Sequence, residues 1–265
     1  MIIELSNFFN NPSLLSMGPL NIQYYAVTWV LSAYFIYLFL KSHPIPKELG
    51  LSIEQINDLV FLYGLIFGAM AGGRIGYMVF YGTDQLINNP LSIFFIWEGG
   101  LSFHGGLAGV FFSSMLFAKK FKIDFFRLTD AIALAMPIGL GLVRVGNFLN
   151  GELYGRATSG NWGFIFPTDP LGLPRHPSQL YESFMEGIIL FLILLLISKK
   201  TKRTGIISAS FLIFYGLIRF FIEFFRQPDA HLGFVALEWL SMGQLLCLPM
   251  IFAGFLLLNY FLRKT

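Results

Sequence analysis

Seven stretches of about 20 mostly apolar residues run through the sequence, at roughly 22–40, 57–80, 99–118, 125–149, 177–197, 205–225 and 243–262. As a helix, each reaches across the roughly 30 Å hydrocarbon core of a bilayer. A chain built this way is expected to be an all-α polytopic membrane protein with about seven transmembrane helices. Its charged fraction supports this, since only 12% of residues are Asp, Glu, Lys or Arg, against about 25% in an average soluble domain. The segment at 88–100, NNPLSIFFIWEGG, is too short and too punctuated by Pro and Gly to cross, and reads as an interfacial or re-entrant piece. Residues 1–265 read as a single integral membrane domain, with a loop near 150–176. No cleavable signal peptide is expected, because the first residues lack a basic region followed by a compact apolar one. Cys247 is the single cysteine, so no internal disulfide forms.

Orientation follows from the positive charges, because cytoplasmic loops are enriched in Lys and Arg. One alternating set of connections holds Lys41, Lys47, Lys119, Lys120, Lys122, Arg127, Lys199, Lys200, Lys202, Arg203, Arg263 and Lys264, twelve in all. The opposite set holds only Arg156, Arg175 and Arg226. With seven spans this places the N-terminus outside, the C-terminus in the cytoplasm, and the 150–176 loop on the outer face. The formal net charge of +3 is too small to suggest nucleic acid as a partner.

Three arginines remain inside spans: Arg74, Arg144 and Arg219. A charge within hydrocarbon costs several kcal/mol, so each should face protein or water. All three fall about five or six residues from the outer ends of their spans, roughly 8–9 Å below the outer edge at 1.5 Å per residue. His104 enters the third span from the same side, and Tyr25 opens the first there. A lone arginine at this depth can snorkel to the interface, and a lone histidine more often packs than reacts. Several costly groups at one depth on different helices, with Glu98, Glu152 and Glu223 close in sequence, are better explained by a shared polar site.

Paired guanidiniums in an apolar setting suit a phosphate, which they bind through forked, charge-assisted hydrogen bonds. At outer-leaflet depth, phosphate means a phospholipid head group. His104 could accept a proton from an attacking group or donate to the phosphate. No metal-ligand spacing, phosphate-cradling loop or nucleophile elbow is present in the sequence, so neither a metal nor a cofactor is expected, which argues against an enzyme using its own covalent nucleophile. Taken alone, the residues lead to an outer-leaflet phospholipid site and leave open whether it is catalytic.

The motifs RVGNFLNGELYG (144–155), FHGGL (103–107), GGRIGYMVFY (72–81), PRHPSQLYE (174–182), YGLIRFFIEFFRQPDA (215–230) and SMGQLLCLPM (241–250) resemble the prolipoprotein diacylglyceryl transferase family over nearly the whole chain. Val143 departs from that pattern, where a small residue is usual. The resemblance implies a multi-pass enzyme of the bacterial cytoplasmic (inner) membrane with its active site towards the outer leaflet. Its implied substrates are phosphatidylglycerol and preprolipoprotein signal peptides carrying a lipobox cysteine. The diacylglyceryl group would pass to the cysteine thiol as a thioether, releasing glycerol phosphate. Carried onto this sequence, it implies catalytic roles for His104, Arg144 and Arg219. It further implies substrate contacts from Arg144, Asn147, Asn150, Glu152, Gly155, Tyr25, Tyr215 and Glu223. Several of these have competing structural readings: Tyr25 as an interfacial tyrosine, Asn147 and Asn150 as residues that hold Arg144, Glu152 as the orienting partner of an arginine, and Glu223 as the ion-pair partner of Arg219 or Arg226. Arg74 reads as a supporting residue with a structural role.

Overall fold

The computed structural model describes residues 2–5, 13–17, 20–96, 99–228, 233–237 and 239–264. Helices dominate: α1 (Tyr24–Ser42), α2 (Pro44–Glu48), α3 (Ile53–Phe80), α4 (Thr83–Asn88), α5 (Phe103–Phe121), α6 (Phe125–Leu149), α7 (Ser178–Lys200), α8 (Ile206–Ile222) and α9 (Met242–Arg263). The seven long ones, α1, α3 and α5 to α9, coincide with the seven apolar stretches. Five of them, α1, α3, α6, α7 and α9, are long and apolar enough to cross a membrane. α8 is apolar but only 17 residues long, and α5 mixes its apolar residues with glycines, His104 and two terminal lysines. The chain is thus a helical protein with several membrane-crossing helices. Their outer faces suit lipid: only 17% of the apolar window of α9 is buried, and Phe252, Phe255 and Leu256 stand exposed on it.

Local signals explain where helices begin. Ser241 caps α9 by accepting from the Gln244 backbone N–H, and the Gln244 side chain accepts in return from the Ser241 N–H, a Ser-x-x-Gln capping box. Ser102 caps α5 through the Gly105 N–H at 3.3 Å. Within α7 the turns widen over Ser183–Ile189 to i→i+5 bonding, a feature that recurs at functional sites.

The chain divides into two compact units, one of residues 36–131 and one of residues 1–35 with 132–265. In the first, α3 lies against α5 backbone to backbone. A Cβ placed on Gly72 would come within 2.6 Å of the Gly105 carbonyl oxygen and 2.7 Å of Gly109 Cα, so glycine is what permits the approach. Arg74, 2% exposed, donates from Nη2 to the Ser92 carbonyl at 2.6 Å and from Nη1 to the Gly99 carbonyl. It therefore ties the 3₁₀ turn at Pro90–Phe94 to Gly99, the residue three before the Ser102 cap of α5. Glu98 lies outside the described residues. Arg127 pairs with Glu48 and, at 3.7 Å, with buried Asp130.

The second unit contains α7, α8 and α9, the start of α1, the end of α6 and three small sheets. Strands β1 (Ile2–Glu4), β4 (Gly163–Ile165) and β5 (Pro174–Arg175) form one sheet, with β1 parallel to β4 and β4 antiparallel to β5. The hairpins β2–β3 (Ser13–Met17, Leu20–Gln23) and β6–β7 (Phe234–Ala236, Leu240–Ser241) make the others. Phe166, 1% exposed, sets edge-to-face against Phe148 at 5.9 Å, seating the 150–176 loop on the end of α6.

Candidate active site

The end of α6 carries Arg144 and Asn147, spaced i, i+3 to share one helical face, and Asn150 follows one residue past its last turn. In the structure, Arg144 Nη1 donates to Asn147 Oδ1 at 3.3 Å, and Asn147 Nδ2 donates to Glu152 Oε1 at 2.8 Å. Glu152 is thereby tied to Arg144 through Asn147. Asn150 faces the start of α1, accepting from the Tyr25 backbone N–H at 3.3 Å and donating to Gln23 Oε1 at 3.4 Å. Tyr25 stands edge-on to Trp29, 6.2 Å between ring centroids.

α8 supplies the second arginine. Arg219 Nη2 meets Glu223 Oε2, one turn on, at 2.9 Å. The pairing with Arg219, and not with Arg226, is the ion pair formed, and Ser241 Oγ steadies the carboxylate by donating to Oε1 at 3.0 Å. Tyr215, one turn before Arg219, stacks on Phe211 at 5.4 Å and 3°.

What brings the two arginines together is α7. Glu182 Oε2 lies 2.7 Å from Arg144 Nε and 2.8 Å from Arg219 Nη1, and Glu186 Oε1 lies 3.4 Å from the same Nη1. Both carboxylates are 0% exposed. A buried carboxylate is stable only when paired, and each here has its countercharge at hydrogen-bonding distance. Glu182 and Glu186 were assigned no role from the sequence. Their signal was present nonetheless: two acids at i, i+4 within an apolar span are a site by default.

Gly155 follows in the loop after α6. Its N–H donates to the His176 carbonyl at 2.8 Å, and it forms an isolated antiparallel bridge with Arg226. A Cβ there would meet the Phe225 and His176 carbonyl oxygens at 2.5 and 2.6 Å, so the close crossing of three backbone segments requires glycine. The loop is fastened further out. Arg175 donates to Asp169 Oδ2 at 2.7 Å and Oδ1 at 2.9 Å, and lies over the Tyr154 ring at 4.9 Å. Those bonds from Arg175 hold the Asp169 carboxyl below the usual aspartate range.

The structure therefore gathers Arg144, Asn147, Glu152, Arg219 and Glu223 into one network, and sets Tyr25 and Asn150 together beside it. His104 belongs to the unit of residues 36–131, where it is the second residue of α5 and exposed. A multi-pass helical membrane protein with two guanidiniums sharing a buried carboxylate is the class defined so far.

The profile of the family Prolipoprotein diacylglyceryl transferase matches residues 12–260, and the chain belongs to that family. It is 47% identical over 255 residues to the phosphatidylglycerol–prolipoprotein diacylglyceryl transferase of Oleidesulfovibrio alaskensis, covering 96% of this chain and 94% of that one. The enzyme of the same description from Pseudomonas entomophila is 45% identical over 250 residues, 94% of this chain and 92% of that one. That from Chromohalobacter salexigens is 44% identical over 245 residues, 92% and 90% respectively.

Proposed function

We propose that the chain is a transferase that moves the diacylglyceryl group of phosphatidylglycerol to the cysteine thiol of a prolipoprotein, the first step of lipoprotein maturation. The observation that carries this reading is the Arg144–Glu182–Arg219 bridge in a chain 44–47% identical to enzymes of that description. The acceptor is a lipobox cysteine at the end of a preprolipoprotein signal peptide. The setting is the bacterial cytoplasmic membrane, with seven spans, the N-terminus outside, the C-terminus inside, one integral membrane domain, and the arginine pair towards the outer leaflet. The twelve-to-three partition of positive charges supports that orientation.

In the reaction, the acceptor sulfur forms a bond to the diacylglyceryl carbon while the bond from that carbon to the phosphate oxygen breaks. The electron pair stays on the oxygen, and a phosphodiester with one negative charge becomes a monoester with two. Fixed cations are worth more to the product-like transition state than to the ground state, which is the condition for catalysis rather than mere binding. Arg144 and Arg219 are the cations proposed for this. Asn147 orients Arg144, while Glu152, Asn150, Tyr25, Tyr215 and Gly155 shape the surrounding head-group site. A thiol with pKa near 8.5 is mostly protonated at neutral pH and must lose its proton. His104 is proposed as the base that takes it.

The test is direct. Purified protein is incubated with phosphatidylglycerol labelled in its diacylglyceryl part and a peptide bearing a lipobox cysteine. Equimolar appearance of labelled peptide and glycerol phosphate is expected. Release of glycerol phosphate without labelled peptide, or no release at all, would overturn the reading.

A further inference from the structure

α7 and α9 both begin at the arginine network, the first through Glu182 and the second through its Ser241 cap, which donates to Glu223. From Glu182 to Lys200 is 18 residues (200 − 182), roughly 27 Å at 1.5 Å per residue, and from Ser241 to Arg263 is 22 (263 − 241), roughly 33 Å. These lengths match a hydrocarbon core of about 30 Å, so the far ends of both helices reach the opposite leaflet. Six cations gather there: Lys199, Lys200, Lys202 and Arg203 around the end of α7, and Arg263 and Lys264 at the end of α9. All six are exposed.

Two contacts hold the segments together. Arg203 Nη1 donates to the Leu262 carbonyl at 3.2 Å, one residue before Arg263. A Cβ on Gly205, whose φ is +83°, would run into the buried Phe261 ring, so glycine lets the 201–205 connection lie on the end of α9. Among the described residues none of the six cations forms an ion pair, whereas Arg127 at the start of α6 pairs with Glu48 and Asp130. The stretches 187–222 and 239–265, which hold both segments and all of α8 and α9, contain no Asp or Glu. Lys199, Lys200 and Arg263 lie in last helical turns, where a cation offsets the helix dipole. That account does not reach Lys202, Arg203 and Lys264, which lie beyond the helix ends.

Cations clustered at the depth of the head groups attract anionic lipid, and basic pockets between the ends of spans bind its phosphates. The surroundings select a lipid over a soluble anion. Leu196, Tyr260 and Leu262 stand exposed within one turn of the cations, and the connection between α7 and α8 is too short to lift the patch clear of the bilayer surface. We propose that the 199–203 segment and the end of α9 bind the head group of an anionic phospholipid in the leaflet opposite the arginine pair, with Arg203 and Arg263 on its phosphate. The lipid bridges the ends of α7 and α9. This site is separate from the one assigned to transfer and needs only that the two helices cross the membrane.

Native mass spectrometry of the delipidated protein, titrated with phosphatidylserine and separately with phosphatidylcholine, reads the site without turnover. The two lipids share a phosphodiester and differ in net charge, so phosphatidylserine should bind more tightly. Lys202→Gln, Arg203→Gln and Arg263→Gln together should weaken its binding about a hundredfold, since each cation at the surface contributes about fivefold. Arg203→Lys with Arg263→Lys keeps the charge and should retain most of the binding. In the wild type the affinity should fall as salt rises, a readout that needs no variant. Arg144→Lys, at the other end of the helices, should leave this binding in place. Equal affinity for the two lipids, indifference to salt, or unchanged phosphatidylserine binding in the folded triple Gln variant would overturn the proposal. Loss of that binding in Arg144→Lys would overturn it by moving the lipid to the arginine pair, and displacement by inorganic phosphate would do so by making the patch a site for a soluble anion.

Discussion

Arg144 and Arg219, 75 positions apart in sequence (219 − 144), share a single oxygen atom, Oε2 of Glu182, at 2.7 and 2.8 Å. That oxygen sits between two guanidiniums, so the carboxylate fixes their spacing.

Glu182→Gln should accordingly disable transfer by releasing both arginines. Removing one partner of a buried pair costs about 3–5 kcal/mol, and here one carboxylate serves two cations. Thermal unfolding in detergent should report lowered stability, and phosphatidylglycerol turnover should fall at least tenfold. Glu182→Asp, which keeps the charge, should recover part of both. Wild-type turnover in Glu182→Gln would show that the arginines are held by other means.

Arg144→Lys and Arg219→Lys keep charge and depth but replace a planar fork with an ammonium. Losing a donor aimed at developing charge lowers rates by about 10²–10³. Both variants are expected at normal abundance in membranes yet unable to replace the native enzyme in cells depleted of it, with immunoblots fixing the amounts. An arginine that only snorkels to the interface would be replaced by lysine without loss, so full rescue at normal abundance would remove Arg144 from the mechanism.

For His104→Gln, which keeps a donor and removes the titrating ring, the expected loss is about 10²–10⁴-fold, the usual worth of a general base. Raising the pH should restore part of the rate by supplying thiolate directly. A variant that ignores pH and binds phosphatidylglycerol weakly would assign His104 to the head group instead.

Asp169 gives a pH-dependent stability. Its carboxyl is depressed in the folded chain by Arg175, so the stabilisation is fully present above the unfolded value near 3.9 and fades as pH falls through the folded one. Asp169→Asn should lower the unfolding temperature at pH 6–7. The gap to the wild type should narrow steadily below about pH 4, where the wild type loses the same interaction. A constant gap down to pH 3 would exclude the ion pair as its source.

Topology is open to reporter fusions. Fusions after residues 122 and 201 should report cytoplasm, and one near residue 160 the outer face. A cytoplasmic signal near 160 would invert the orientation and move the arginine pair to the other leaflet.

Much of this was legible from residues alone. The apolar stretches coincide with the long helices because each holds about 20 residues with few charges, and length against bilayer thickness is a strong constraint. Arg144, Asn147 and Glu152 were found together because helical periodicity places the first two on one face. The choice of counter-ion was not legible. Glu152, near Arg144 in sequence, bonds Asn147, whereas Glu182, 38 positions away (182 − 144), takes the arginine. Packing of α7 against its neighbours decides that, and periodicity within one helix carries no information about which helix lies opposite. Arg74, at the same depth as the other two arginines, reads from the sequence as a supporting residue with a structural role, and its bonds go to the Ser92 and Gly99 carbonyls.

The Glu182 bridge also sets an order of events during biosynthesis. Arg144 leaves the ribosome 38 residues ahead of its carboxylate, and at about 5–20 residues per second it waits roughly two to eight seconds with no partner to offset its burial in hydrocarbon. Arg219, by contrast, emerges after both Glu182 and Glu186 and finds its countercharges already made. The insertion machinery must therefore shelter the end of α6, or leave it near the membrane surface, until α7 arrives. A stall placed between residues 150 and 180 should leave a nascent chain whose fourth apolar stretch is still extractable.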